Sequence, residues 1–466
     1  MNSATQGLTL RLPREARRPF LDWFDCLCAL LLVVSFLIVS RLPAPSKFGD
    51  LYFHEEAKSL SLAIRGVASW REVAFARAPG PALYYSVPYL LVSADAPNES
   101  YWRAAVAWNG FWILVAILLI RRTADMLWRE PAGKAAAILA LLLPFPVYYS
   151  FGVAAESPAY VATAILLYGW ALWRSNEGAR LFSKAGFVSL AGLLALFLCR
   201  PNALVVLGIT AVCGVILFLR RPSSAADRRF AVLCVLTGIV TVLVVSLGLK
   251  HLPGNRGLGS QASNFDEAMF LSSFQFRTES WDWRFWGKGT RQGSADYQNY
   301  AAEQKMIERE SATTNVPVGK LQLHWALRDL AEHPLTHFKM FAVRLLALNV
   351  WIINSTRPAA FRLGPLRGTA VYVAFHIFLN IIALAPLFAS FWFLVRERGL
   401  FASYWPLWGP WLALLLFHSL TYAEPRYMLP AQPGLAVMAA CVLARRKARS
   451  PEAMPLSAHG SELLCQ

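Results

Sequence analysis

Long apolar runs alternate with short polar loops along this chain. The runs at 23–40, 103–120, 135–152, 158–173, 185–199, 203–219, 231–249, 370–395, 404–420 and 430–444 are each about 15–25 residues long. A helix rises 1.5 Å per residue, so ~20 apolar residues cross a ~30 Å hydrocarbon core. Each run is therefore expected to be a transmembrane helix, giving about ten spans. Run 23–40 reads as a retained first span rather than a cleaved signal, because many spans follow it.

The loops carry the orientation. Arg11, Arg14, Arg17 and Arg18 precede the first run, and Arg121-Arg122, Arg174, Arg180, Lys184, Arg220-Arg221, Arg396, Arg398 and Arg445-Arg446-Lys447 follow alternate ones. Short basic loops stay in the cytoplasm. Both chain ends are then cytoplasmic, and 42–102 and 250–336 lie on the opposite face. In the first outer loop, 55–66 has helical character. Residues 81–93 are apolar but too short to span, and Tyr84, Tyr85 and Tyr89 suit a helix at the interface or re-entrant. Residues 317–332 read as a helix stopped at His333-Pro334. The stretch 338–353 carries Lys339, Arg344 and Asn349. If it spanned, every later basic loop would invert, so it is expected to be an outer interfacial helix. No internal repeat of the transporter type is visible.

Composition agrees with this threading. Of 466 residues, 56% are hydrophobic and 16% charged, against about 25% charged in soluble domains; mean hydropathy is +0.42. The net charge of +17 follows from the positive-inside loops, so it gives no ground for nucleic-acid binding. The seven cysteines, Cys26, Cys28, Cys199, Cys213, Cys234, Cys441 and Cys465, are absent from the long polar segment and form no CxxC pair. Neither a disulfide framework nor a zinc site is expected. His54, His251, His324, His333 and His337 have no metal-ligand spacing.

The threading gathers polar residues on the outer face: Asp50, Glu55 and Glu56, Arg77, Glu156, Arg200 with Pro201 and Asn202, His251, the aromatic run 281–286, and Tyr422 to Tyr427 around Glu424 and Arg426. Charged groups at membrane depth are costly and usually line a cavity or meet a partner. Carboxylates among arginines suit glycosyl transfer from a lipid phosphate. An acid accepts the proton of an attacking hydroxyl, and guanidiniums offset the charge of the leaving phosphate. Each residue also has a plain structural role. Asp50 is a favoured cap for a helix opening at Leu51. Glu55 and Glu56 suit a solvated surface, Glu156 suits a helix start before Pro158, and the tryptophans suit an interfacial anchor. Walker, GxSxG, HExxH and Rossmann signatures are absent.

Five short motifs resemble one superfamily. They are Gly49-Asp50 with Ala57 or Ala63 and Gly66; Pro79-Gly80-Pro81-Ala82-Leu83-Tyr84-Tyr85; Pro144 through Glu156-Ser157-Pro158; Leu198-Cys199-Arg200-Pro201-Asn202; and Glu424-Pro425-Arg426-Tyr427-Met428-Leu429-Pro430. In this order, and on one face, they resemble the GT-C superfamily of polyprenyl-phosphate-sugar-dependent glycosyltransferases. The nearest branch holds bacterial protein O-mannosyltransferases, the lipid A aminoarabinose transferase and rhizobial galacturonosyltransferases. The resemblance implies an all-α membrane protein, a polytopic helical bundle of about ten transmembrane spans with periplasmic loops and interfacial helices. Residues 1–249 would form an N-terminal transmembrane module with a catalytic first loop at 41–102. Residues 250–369 would be a periplasmic region, 370–447 the C-terminal helices, and 448–466 a disordered cytoplasmic tail.

The resemblance also implies roles. Asp50 would be the catalytic base, with Glu55 the alternative register, and Glu156 a second acid. Arg200 and Arg426 would contact the donor phosphate, with Arg77, Asn202 and Tyr427 beside them. No metal or other cofactor is implied. The implied enzyme is an inverting glycosyltransferase of the bacterial inner membrane, its site facing the periplasm. Its partners would be a polyprenyl-phosphate-linked sugar, a glycolipid, glycan or protein acceptor, and membrane lipid, with no nucleic acid. A transporter or flippase of lipid-linked sugars, or a non-catalytic assembly partner, would use the same polar face without chemistry.

Overall fold

The computed structural model describes residues 22–40, 51–75, 78–128, 131–143, 150–175, 183–200, 225–250, 259–278, 295–349, 370–396, 404–421, 423 and 425–448. Among them every regular element is a helix. The helices are α1 (Trp23–Ser40), α2 (Leu51–Ile64), α3 (Pro79–Tyr89), α4 (Asn98–Trp128), α5 (Ala132–Leu142), α6 (Glu156–Ser175), α7 (Lys184–Cys199), α8 (Ala225–Lys250), α9 (Gly259–Ser272), α10 (Ala295–Thr314), α11 (Val318–Glu332), α12 (Pro334–Ala347), α13 (Ala370–Arg396), α14 (Trp405–Leu420) and α15 (Gln432–Ala448). Short 3₁₀ segments occupy Trp70–Glu72 and Pro425–Ala431.

The expected count of about ten spans is not reached among the described residues. One helix, α4, is long and apolar enough to cross a membrane, and shorter apolar stretches lie at Trp23–Val34, Ala132–Leu142, Lys184–Cys199 and Asn380–Arg396. Run 203–219 lies outside the described residues. Run 135–152 is cut short because Leu143 precedes Pro144 and takes an extended conformation, φ −63° and ψ 120°, which a following proline favours.

Run 103–120 also differs from expectation. Its helix continues through Arg121-Arg122 to Trp128. Arg121 is buried at 3% exposure and pairs with Asp22 at 2.5 Å, with Asp25, and with Asp125 at 3.8 Å. A buried guanidinium must be paired; here Asp22 just before α1, Asp25 within it and Asp125 of α4 are the partners, so the helix carries its arginine inside instead of ending at it. The expected helices 317–332 and 55–66 appear as α11 and α2. The stretch expected at 338–353 begins earlier, at Pro334, where the missing N–H costs nothing in a first turn.

The main core lies where α4, α5, α6, α7, α14 and α15 meet, around Tyr160, Trp170, Trp173 and Trp405. α6 and α7 run antiparallel and pack at backbone distance. A Cβ added to Gly192 of α7 would lie 2.6 Å from the Leu166 nitrogen of α6. Close small-residue contacts of this kind hold helices together where the hydrophobic drive is weak. Gly192→Val is therefore expected to destabilise the fold by about 1–3 kcal/mol, the usual cost of overpacking. Thermal unfolding in detergent checks this, with Leu194→Val on the more open face as the control.

Candidate functional site

Antiparallel packing of α6 on α7 brings the start of one helix beside the end of the other. Glu156 opens α6, and its charge faces the positive helix end. Pro158 is tolerated there because first-turn N–H groups need no helical acceptor. α7 stops at Cys199 because Arg200 precedes Pro201 and is driven extended, φ −142° and ψ 90°. The two side chains meet: Arg200 Nη2 donates to Glu156 Oε1 at 2.6 Å.

A third segment completes the group. The 3₁₀ segment Pro425–Ala431 packs against α6 and α14. It places Arg426 Nε 3.5 Å from the same Glu156 oxygen. The Tyr427 ring lies 5.2 Å from the Arg200 guanidinium carbon and 5.3 Å from that of Arg426. His418 stacks on the same tyrosine, centroids 4.4 Å apart at 28°. Glu156 is buried, and the Arg200 and Arg426 side chains keep only 15% and 17% exposure. Among the described residues, Arg200 Nε is buried without a hydrogen-bond partner. Two guanidiniums thus converge on one carboxylate oxygen in a largely dry setting, where charge interactions are stronger than in water.

The Pro-Gly-Pro run borders this group. A Cβ at Gly80 would lie 2.4 Å from the Leu198 carbonyl carbon, so α3 begins directly against the backbone that leads into Arg200. Only glycine permits that approach. Farther along α3, the Tyr85 hydroxyl donates to the Ala154 carbonyl at 3.0 Å and accepts from the Ala154 N–H at 3.1 Å. Asn109 Nδ2 donates to the Ser150 and Gly152 carbonyls, at 2.9 and 3.0 Å, and Trp102 Nε1 to Phe151 at 3.0 Å. Three side chains therefore hold the irregular segment 150–154 that delivers Glu156. Burial raises the Tyr85 hydroxyl pKa, and the negative charge of Glu156 adds to the rise.

These holding residues were not among the site candidates. Asn109 carried a readable signal, an amide inside an apolar run. Tyr85 stood in the Pro79–Tyr85 motif without a role of its own, and Trp102 carried no signal beyond aromatic character.

The first-loop acids divide. On α2, Glu55 is exposed and Glu56 is buried. Glu56 shares its helical face with Phe53, Leu60 and Ala63, which pack in the clusters holding Tyr85 and Ala82. His54 is fully buried and shares a 2.9 Å hydrogen bond with the Tyr89 hydroxyl. Burial lowers its pKa below the ordinary 6.5. Asp50, Arg77, Asn202, His251 and the aromatic run 281–286 lie outside the described residues. So the structure joins Glu156, Arg200, Arg426 and Tyr427, from segments up to 271 residues apart (427 − 156), and sets Glu55 on an open surface.

Among the described residues no group of histidine, cysteine and carboxylate side chains is arranged to hold a metal ion. No protein-family model matches the chain, and no curated protein matches it in sequence.

Proposed function

We propose that this chain is an inverting glycosyltransferase of the bacterial inner membrane. It moves a sugar from a polyprenyl-phosphate carrier to a hydroxyl of a periplasmic glycolipid, glycan or protein. The observation that carries the reading is the convergence of Arg200 and Arg426 on Glu156, bordered by the Pro79-Gly80-Pro81 run. Residues of three of the five motifs that suggested this chemistry meet there, and a fourth packs alongside.

In the proposed step, the acceptor oxygen attacks the anomeric carbon from the face opposite the phosphate. Asp50, or Glu55 in the alternative register, takes the hydroxyl proton. The bond from the anomeric carbon to the phosphate oxygen breaks with its electron pair, so polyprenyl phosphate leaves with one more negative charge. Arg200 and Arg426 face that developing charge, and guanidiniums bind phosphate bidentately. Glu156 holds the two arginines in place before the donor arrives. Arg77 and Asn202 are assigned to the same phosphate.

A bilayer setting with about ten spans belongs to this proposal. Its support is the apolar surface left bare on long helices. Leu30 and Leu37 of α1, Ile239 and Leu243 of α8, and Ile377 and Phe388 of α13 are all more than half exposed. A soluble surface rarely leaves such patches uncovered, whereas lipid covers them at no cost.

The test uses membranes containing the protein, supplied with radiolabelled polyprenyl-phosphate sugars and envelope acceptors. Label is expected to move into acceptor in proportion to the protein present. If no donor loses label, while the leaflet holding the lipid-linked sugar changes, the chain is a transporter and the transferase reading is wrong.

A further inference from the structure

The Arg426–Tyr427 segment is held from outside by a turn on the polar side of the chain. The side-chain amide of Gln275 pairs with both backbone groups of one residue: Nε2 donates to the Ala423 carbonyl at 2.9 Å, and Oε1 accepts from the Ala423 N–H at 3.0 Å. Gln275 is fully buried, so both bonds are shielded from water. Arg344, on the inner face of α12, adds a second tie. Its Nη1 donates to the Ser272 carbonyl at 2.8 Å and to the Thr421 carbonyl at 3.1 Å. Those carbonyls close α9 and α14, and helix C-termini favour a cation. Burial pulls the Arg344 pKa down to about 9, so it is charged at neutral pH.

The turn itself is over-determined. Phe276, next to Gln275, is buried and takes φ +68°, a left-handed conformation that costs an aromatic residue energy. On its far side Arg277 donates to Asp329 at 2.8 Å. The strained residue thus sits between two anchors. Tyr427 also packs on the aromatic cluster of Phe270, Phe274 and Trp325.

We propose that Gln275 and Arg344 are positioning residues for an anionic phosphate: they dock residues 272–277 on the Thr421 and Ala423 backbone and so set Arg426 and Tyr427 against Glu156. This rests on the reading of Arg200 and Arg426 as a carrier-phosphate site. Neither residue touches the ligand. Releasing the Ala423 peptide lets Arg426 depart from its place beside Glu156, so affinity falls while the fold persists.

The experiment titrates polyprenyl phosphate into the full-length protein in nanodiscs and follows tryptophan fluorescence. Gln275→Leu removes both amide bonds and is expected to weaken Kd by about tenfold at an unchanged number of sites, as losing two buried hydrogen bonds implies. Arg344→Lys keeps the charge at the helix ends and is expected to weaken Kd by about threefold. A purely structural role would instead lower the number of sites and leave Kd as it was; that result, or unchanged binding in both variants, overturns the proposal. Wild type that binds the carrier but transfers no sugar ends the transferase reading and leaves this inference standing. Wild type that does not bind the carrier overturns the phosphate site and this inference with it.

Discussion

Arg200→Ala is expected to lower sugar transfer by about 10²–10³-fold, the usual loss when one preorganised electrostatic contact to developing charge is removed. Arg200→Lys should recover only a small part. A lysine is a point charge without the planar fork that matches both Glu156 and a phosphate. The burial of the pair sharpens the prediction, since the Arg200 side chain keeps only 15% exposure and Glu156 4%. Water cannot substitute for the missing guanidinium in such a place.

The carboxylate is predicted to fail differently. Glu156→Ala leaves Arg200 and Arg426 close together without the carboxylate both lie beside, and breaking a buried pair costs about 3–5 kcal/mol. Its first sign should be a lowered thermal midpoint and poor recovery from detergent. Glu156→Gln keeps a carbonyl acceptor of the same shape. It should fold near the wild-type midpoint and bind carrier phosphate at least as tightly, because a competing negative charge is gone. Carrier titration alongside thermal unfolding separates the two variants. Weaker binding by a well-folded Glu156→Gln would mean that Glu156 orients the arginines by its charge and not only by its shape.

The second large effect concerns the base. Asp50→Asn is expected to lower transfer by about 10²–10⁴-fold, the range for losing a positioned general base, with carrier binding kept. Glu55→Gln should leave transfer close to wild type, because Glu55 is exposed on α2, apart from the Glu156–Arg200–Arg426 group. The buried neighbour is the sharper comparison. Glu56→Gln changes a group packed on the α2–α3 face, so a loss there would appear in the thermal midpoint as well as in the rate. Loss of transfer with Glu55→Gln alone would move the base one register along the first loop. Equal transfer by all three variants would remove the first-loop acids from the mechanism.

The polar cluster shows how much a chain of this kind discloses before it folds. Arg200 stood out because it ends an apolar run on the face expected to be poor in basic residues, and Arg426 because it lies between two apolar runs. Tyr427 stood out through the resemblance of Arg426-Tyr427-Met428-Leu429-Pro430 to a family motif. The helices α2, α3, α11 and α12 followed from local pattern and proline positions, which act within a few residues. The count of spans did not follow so directly. Hydropathy windows read composition, whereas α5 ends where Leu143 meets Pro144 while Pro386 and Pro410 stay inside their helices, and Arg121 stays inside a helix once Asp22 and Asp25 reach it.

What the sequence determined alone is therefore local: helical character throughout, the apolar surfaces, the proline and glycine stops, and the residue types able to handle a phosphate. Only the tertiary structure decided that Glu156, Arg200 and Arg426 share one oxygen, because that depends on α6 and α7 packing antiparallel at Gly192. Tertiary packing likewise buried Glu56 while leaving Glu55 open, a difference of 100° around one helix turn that no composition records. It also drew Gln275 to Ala423 across 148 positions (423 − 275). A glutamine side chain by itself has no preference among backbone partners; it takes one only when the folded backbone presents a free N–H and carbonyl side by side and excludes the water that would compete for them.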